Sequence, residues 1–539
     1  MPSISDTSAP ARQRRRTTHV KSGCRTCKVR RVKCDEKRPS CGKCLVSGRV
    51  CDGYGIWGQP SIAQTAIQQQ HATSPSYSLP ALPDLANEEK RYLDRFRNLL
   101  VDKLSQPFGS HFWSSVVTQL SMTEPAVLHA SIALASAYDS LVPGSGQVAA
   151  TDSALPASFT LRQYNRAIRA LTSKVSPEAL PSLRAAVVSC VLFICLEIMR
   201  GDANAMQAHF SSGIQLLRQL QHGDRTSSSK GGTILVKHHA EALDDHLVDV
   251  FTRLNLHFLM LGHGSQLKQT FVPSFINDRR MWIPRRFFNS NQARQSLTVI
   301  LVSSIHLLKE AEQHTFSTNL YPPPPSAAVL ERQDTLQAGL SEWVAAYDNS
   351  IDELRVTESS NHRLGLIMLR IYADMFIPLL ATSLSIKETA YDAHTPVFES
   401  LIKSYREVLD SHSNPFFTID IGFFPPVYCT VLKCRDSRIR HEALSLLRRF
   451  RHMEGPWTGP ILAKVAEYVV NLEEEHFQGA QSSVSGIVLP EFCRIFCVEC
   501  RLPNPESSSP NTWSLILKRF RHELGKAGGW DVRKHEIEV

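Results

Sequence analysis

Cys24, Cys27, Cys34, Cys41, Cys44 and Cys51 stand in a spacing that repeats: C-x2-C-x6-C, six residues, then C-x2-C-x6-C again. A shift of seventeen residues carries the first triple onto the second. A segment this short has no room for an apolar core of its own, so the thiols decide how it folds. Two cysteines separated by two residues can face one ion across a tight turn, and structural zinc takes four such ligands in a tetrahedron. Six thiolates fill one tetrahedron with two left over, whereas two separate tetrahedra need eight. The count closes if two sulfurs each bridge both ions, and the duplication suggests that the bridges are equivalent members of the two triples. His19 lies outside the repeat and is left off the ligand set.

A disulfide knot is the rival reading. Residues 1–16 contain no apolar run of the kind a secretory leader has. Seven further cysteines occur singly or in apolar surroundings, which suits a reducing compartment. A metal-storage peptide would carry more cysteines and fewer cations. Charge supports the cluster differently. Residues 11–50 hold 14 Lys or Arg against 2 acids, while the rest of the chain holds 46 basic and 49 acidic groups. The whole basic excess of a chain of formal charge +9 therefore sits in forty residues. Six thiolates and two Zn2+ together carry −2, so the cations exceed what the metal cage needs and point to an external polyanion.

Between Cys27 and Cys34 runs Lys28-Val29-Arg30-Arg31-Val32-Lys33. A short helix opened by Cys27 would project Lys28, Arg31 and Lys33 to one side and pack Val29 and Val32 back on the metal core. A helix end of that size fits a major groove, where Arg or Lys hydrogen-bonds N7 and O6 of guanine. Arg25, Lys28, Lys33, Lys37 and Lys43 read as phosphate contacts, which hold register without reading sequence. Arg49 reads as a solvated surface charge. Arg12-Gln13-Arg14-Arg15-Arg16 reads as a nuclear import signal or a disordered arm on DNA.

This segment resembles the fungal zinc binuclear cluster (Zn2Cys6) transcription regulators. All six cysteines match that family's spacing, as do the run Lys28 to Lys33 and Pro39 in the connecting loop. The resemblance covers residues 19–55. It implies two Zn2+ ions, with Cys24 and Cys41 as the bridging ligands, and a basic pair, here Arg30 and Arg31, set against a CGG triplet. Many members carry lysines at the pair, so the preferred flanking base here could differ. Two further stretches resemble the family's fungal-specific regulatory domain. One runs from Phe112-Trp113 through Glu124-Pro125-Ala126 to Ala133-Leu134; the other runs from Ser189 through Phe193, Glu197 and Gly201 to His209 and Gly213. The resemblance implies an all-helical region that regulates the finger.

The expected fold is mainly α: a basic arm (1–18), the cluster module (19–55), a flexible linker (56–86) and a large all-helical domain (87–539). The linker is rich in Gly, Pro and Gln. No sustained heptad follows the cluster, and the amphipathic stretch Glu88 to Leu104 is short, so a zipper dimer is doubtful and homodimerisation stays open. Leu161, Tyr164, Ile168, Leu171 and Val175 form one apolar stripe on a 3.6-residue period. Ala203, Met206, Phe210, Ile214 and Leu217 form another, with Asp202 placed as its N-cap. Ala185 to Met199 is apolar nearly all round; it is too short to span a bilayer and contains Glu197, so it reads as a buried core helix. No other segment qualifies as transmembrane. Further helices are expected at Val236 to Leu261, Gln295 to Gln313, Leu330 to Tyr347, Arg363 to Leu384, Pro396 to Ser411, Arg435 to Arg451 and Ile461 to Glu475. Loops are expected at Pro143 to Ala157, Gly223 to Thr233 and Pro322 to Ser326.

Other motifs carry less. Cys493-x3-Cys497-x2-Cys500 has an iron–sulfur spacing but sits among Phe492, Ile495, Phe496 and Val498, and reads as core packing. His238, His239 and His246 with Asp244 and Asp245 read as a polar helix face, since the spacing is not that of a zincin helix. Gly262-His263-Gly264-Ser265 lacks the second glycine of a nucleophile elbow. Glu473-Glu474-Glu475 reads as a solvated helix face. No catalytic constellation emerges, so the chain is expected not to be an enzyme. The expected function is a nuclear, sequence-specific, double-stranded-DNA-binding regulator of RNA polymerase II transcription, acting with the transcription machinery or co-regulators and without a membrane. The alternative is a zinc-cluster cofactor whose finger contacts protein.

Overall fold

A computed structural model describes residues 23–37, 41–47, 51, 85–105, 108, 110–141, 154–174, 180–222, 233–237, 240, 242–261, 271–273, 283–316, 322–411, 417–418, 422–450, 452–478, 489–501, 512–521 and 529–538. The basic arm, His19, Pro39, Arg49, His238, His239, the Gly262–Ser265 stretch and linker residues 56–84 lie outside them. The chain divides into two units, residues 1–81 and 82–539.

The first unit contains two one-turn helices, α1 (Arg25–Val29) and α2 (Gly42–Val46). Among its described residues the buried side chains are those of Cys24, Cys27, Cys34, Cys41 and Cys44, with Cys51 packed against them. No aliphatic side chain among them replaces the sulfurs.

The second unit is mainly helical. It begins with α3 (Asn87–Arg95), which runs through a π-turn at Phe96–Leu100 into α4 (Val101–Leu104). A second π-turn, Phe112–Val117, leads into α5 (Thr118–Thr123). Then come α6 (Pro125–Leu141), α7 (Ala154–Lys174), α8 (Leu180–Arg200) and α9 (Ala203–His222), which pack α6 on α7 and α8, and α8 on α9. Strands β1 (Ile234–Val236) and β2 (Phe271–Pro273) pair in parallel around α10 (Leu243–Met260). The long helices α11 (Ser290–Phe316), α12 (Ala327–Asp348) and α14 (Ser360–Thr382) pack together, with α13 (Ile351–Thr357) between the last two in sequence. A 3-10 turn at Glu388–His394 enters α15 (Thr395–Ser411). A group of α16 (Phe424–Lys433), α17 (Ser437–Arg449) and α18 (Gly459–Gln478) follows. The two-residue strands β3 (Phe417–Thr418), β4 (Met453–Glu454) and β5 (Trp457–Thr458) form a small sheet beside it. The chain closes with β6 (Cys497–Arg501), β7 (Thr512–Arg521) and β8 (Gly529–Glu538), an antiparallel meander.

The mainly-α architecture holds. The C-terminal meander is an addition that helical periodicity gave no sign of. Several boundaries move. Val236 ends a strand, and the helix expected from Val236 begins at Leu243. The loop expected to reach Ala157 is already helical from Ala154. Asp436 caps α17 by accepting from Ile439 N at 3.0 Å, which places Arg435 before the helix rather than in it. Asp202 caps α9, accepting from Ala205 N at 2.9 Å.

The apolar stripe of α9 is buried as expected from Met206 through Leu217. That of α7 is offset: Leu161 is exposed, and Thr160, Gln163 and Ala167 face inward. Gln163 earns that place by polar pairing. It donates to Glu89 Oε1 at 2.6 Å and meets His129 Nδ1 at 2.7 Å. Glu473 is likewise fully buried, not solvated. Its carboxylate accepts from Arg435 Nη2 at 2.9 Å, from Ile495 N at 2.6 Å and from Arg440.

Ser182–Arg200 and His362–Thr382 are each long and apolar enough to cross a membrane, contrary to the expectation from length. Both are interior helices, with 89% and 67% of those stretches buried. Gly213 explains how closely α8, α9 and α10 approach: a β-carbon there would run into the Phe251 ring and touch Cys190 Cβ. Gly201 ends α8 with φ +74°, the left-handed turn that suits glycine.

Candidate metal centre and nucleic-acid interface

Each cysteine triple builds the same local structure. Cys24 caps α1, its sulfur accepting from Cys27 N at 3.4 Å; Cys41 caps α2, its sulfur accepting from Cys44 N at 3.4 Å. Cys24 N donates to Cys34 Sγ at 3.5 Å, and Cys41 N donates to Cys51 Sγ at 3.4 Å. The seventeen-residue repeat is therefore a repeat of hydrogen bonds as well as of residues. Backbone N–H groups aimed at sulfur stabilise thiolate over thiol and orient it, as outer partners of metal ligands do.

The sulfurs gather into two quartets, Cys24–Cys27–Cys34–Cys41 and Cys24–Cys41–Cys44–Cys51, each with all four atoms within 4.8 Å of one another. Cys24 and Cys41 belong to both. Their sulfurs are 3.6 Å apart, and Cys24 Sγ to Cys44 Sγ is 3.8 Å. A zinc tetrahedron with Zn–S bonds near 2.3 Å has edges of about 3.8 Å. The residues present therefore fit tetrahedral zinc, and the two shared sulfurs are those the bridging expectation named. For free thiols, desolvation pushes Cys24, Cys27 and Cys41 up, so zinc binding here expels protons. Bound zinc would supply the rigid core that the segment lacks.

The basic run takes a different path from the expected one. Helix α1 starts at its Cys24 cap, not at Cys27, and ends at Val29. Arg31 N bonds Lys28 O and Val32 N bonds Cys27 O, both at 3.1 Å, and Arg31 has φ +54°. This is a Schellman ending with arginine at the left-handed position where glycine is usual. The repeat puts Gly48 at the equivalent place in the second triple. Val32 is exposed by this turn instead of packing on the sulfurs. The side chains of Arg25 and Val29 lie outside the described ones.

Lys28, Arg31, Lys33, Lys37 and Lys43 are exposed. Arg30 is half-buried, and its Nη1 donates to Ser47 Oγ at 2.9 Å. Ser47 in turn donates to Lys43 O at 2.8 Å at the end of α2. Arg30 therefore ties the two halves together, which spacing alone could not reveal. Asp35 makes a second tie, its Oδ2 accepting from Gly42 N at 3.0 Å.

The other sequence candidates separate. Asp244 pairs with Arg184 at 2.7 and 3.0 Å, Asp245 accepts from Ala242 N at 3.2 Å, and His246 stacks on His111. Cys493 and Cys500 are buried in the core, while Cys497 donates to Glu312 Oε1 at 3.1 Å. These three thiols form no common site among the described residues.

Comparison with known proteins agrees with this geometry. Residues 22–56 match the fungal Zn(2)-Cys(6) binuclear cluster domain, and residues 91–251 match the fungal specific transcription factor domain. The aspercryptin biosynthesis cluster-specific transcription regulator atnN of Emericella nidulans is 21% identical over 84% of this chain and 87% of its own length. The transcription regulator lscL of Purpureocillium lilacinum is 28% identical over 42% of this chain and 55% of its own length. The Zn(2)-C6 fungal-type transcription factor afumD of Aspergillus fumigatus is 34% identical over 24% of this chain and 35% of its own length. No solved structure matches. A chain that joins this cluster domain to that helical domain, and aligns along most of its length with a transcription regulator, belongs to the fungal Zn(2)-Cys(6) transcription regulators and is a transcription factor rather than an enzyme.

Proposed function

We propose that this chain is a nuclear, sequence-specific regulator of RNA polymerase II transcription that reads CGG-like triplets through a cluster of two zinc ions. The observation that carries the reading is the shared Cys24–Cys41 edge of the two sulfur quartets, from which α1 leads to the exposed Arg31. Two ions on that edge would fix α1 and its left-handed turn as one rigid body. Arg31 would then hydrogen-bond guanine N7 and O6. Arg30, held by Ser47, sets the base of the turn and adds positive potential beside it. Lys28, Lys33, Lys37 and Lys43, with Arg25, hold phosphates on either side. The helical unit recruits co-regulators, and a second copy binds only if the target holds two triplets. One relative is named for a biosynthesis cluster, and we extend that setting to the targets of this chain.

The test is a gel shift of the zinc-loaded full chain across salt. CGG probes should bind more tightly than scrambled ones, with affinity falling steeply as salt rises. Equal affinity for both probes would refute direct readout and favour a finger that contacts protein. Mapping of bound genomic sites would check the setting: peaks scattered without relation to biosynthetic genes would reject it.

A further inference from the structure

A half-open cavity of about 230 Å³ lies in the helical unit, walled by α10, α11, α14, α16 and the start of β6. None of its lining residues falls in the two segments that match known domains. Its walls include Leu259, Met260, Leu308, Leu379, Leu432 and Val498. All six pack against the core, yet each is only half-buried, because one side of it faces the cavity. Leaving such surface wet is unfavourable, and a ligand that covers it recovers that cost.

The charged side chains on its walls are each already paired. Glu312 accepts from Lys309 Nζ at 2.8 Å and from Cys497 Sγ at 3.1 Å. Lys433 Nζ donates to Glu388 Oε1 at 2.7 Å and to Phe496 O at 2.8 Å. Each lysine thus already has a carboxylate partner, Glu312 for Lys309 and Glu388, shared with Arg435, for Lys433. A charged ligand would have to break one of these pairs; an uncharged one would not. The lining is that of a small-molecule site: apolar walls with a few polar groups among them. An apolar cavity of about 150 Å³ already admits benzene, so this one holds a somewhat larger molecule. Met260 and Met375 on its walls can adjust to the shape of what enters.

We propose that this cavity binds one compact, uncharged, mostly apolar molecule per chain, of about the size of two aromatic rings. The inference stands apart from the reading of DNA, since no residue of the cysteine module takes part.

The test uses 1-naphthylamine, an uncharged fluorescent probe of two fused aromatic rings, with the zinc-loaded full chain. Saturable binding of one equivalent is expected, with a rise in melting temperature from mass action. Leu379→Trp and Val498→Phe fill the cavity from α14 and from β6. Each should weaken binding at least tenfold while keeping the parent's cooperative melt. Hydrogen exchange in the unsubstituted chain gives an answer independent of either variant: the probe should slow exchange in α14 and α16. Absence of saturable binding, equal affinity in both folded variants, or exchange unchanged in those helices would each overturn the assignment.

Discussion

Cys24 Sγ and Cys41 Sγ, seventeen residues apart in sequence and 3.6 Å apart in space, are the two atoms common to both sulfur quartets. Their positions make the six cysteines unequal. Cys24→Ala should strip a ligand from both ions, and zinc content should fall towards zero. Cys51→Ala touches one quartet and should leave the other ion bound, near one zinc per chain. Native mass spectrometry reads both counts. Identical losses from the two variants would argue against bridging.

Arg31 occupies a backbone conformation that costs an L-residue on the order of 1–2 kcal/mol. Arg31→Gly removes that strain together with the guanidinium. The finger should become no easier to unfold in a zinc-chelator titration, while discrimination of CGG from scrambled probes drops by about 1–3 kcal/mol. A parallel loss of stability would mean that Arg31 holds the fold and not the DNA.

Glu473 sits between Arg435 and Arg440 in the interior of the helical unit. Burial alone would push its carboxyl up; the two guanidiniums outweigh this and hold it below the ordinary 4.5. The stability it contributes is therefore complete above about 4.5 and is lost as pH falls through the depressed value. Glu473→Ala would take the shared carboxylate from two buried cations, leaving Arg435 with Glu388 and Arg440 with Glu474 at 3.9 Å, at a cost of about 3–5 kcal/mol. Urea unfolding at neutral pH measures that cost. The same variant should show less of the parent's loss of stability in acid.

Gly213 and Gly201 should fail differently when replaced by alanine. At Gly213 the new methyl meets the Phe251 ring, and overpacking of this kind costs about 1–3 kcal/mol. At Gly201 nothing lies within 4 Å, so only the left-handed backbone is strained, at about 1–2 kcal/mol. Thermal melts should show both losses. Adding Phe251→Leu should recover part of the first and none of the second.

The cysteine module was legible because its fold is a consequence of ligand spacing: a repeat in sequence became a repeat in space, down to the N–H···S bonds. Most long helices were legible for a similar reason, since Met206 through Leu217 carry their own period. What escaped was decided by partners distant in sequence. Gln163 and Glu473 are polar residues on inward faces, and His129 and Glu89 for the first, and Arg435, Arg440 and the Ile495 N–H for the second, make those positions tolerable. Arg30 stands with Arg31 in the basic pair expected against the triplet, and nothing in that spacing announces its bond to Ser47 in the second triple. The C-terminal meander pairs Thr512–Arg521 with a strand on each side. The alternation of its strands is too short, and too mixed with Lys, Arg and Glu, to stand out from helical surface.

Each cysteine triple supplies three sulfurs of one quartet and borrows the fourth from the other. A fragment ending after Cys34, or one beginning at Cys41, would hold an incomplete coordination sphere and have little else to order it. The duplicated halves are thus obligate companions: whatever ancestor held only one of them could have gripped metal this way only by meeting a second copy of itself.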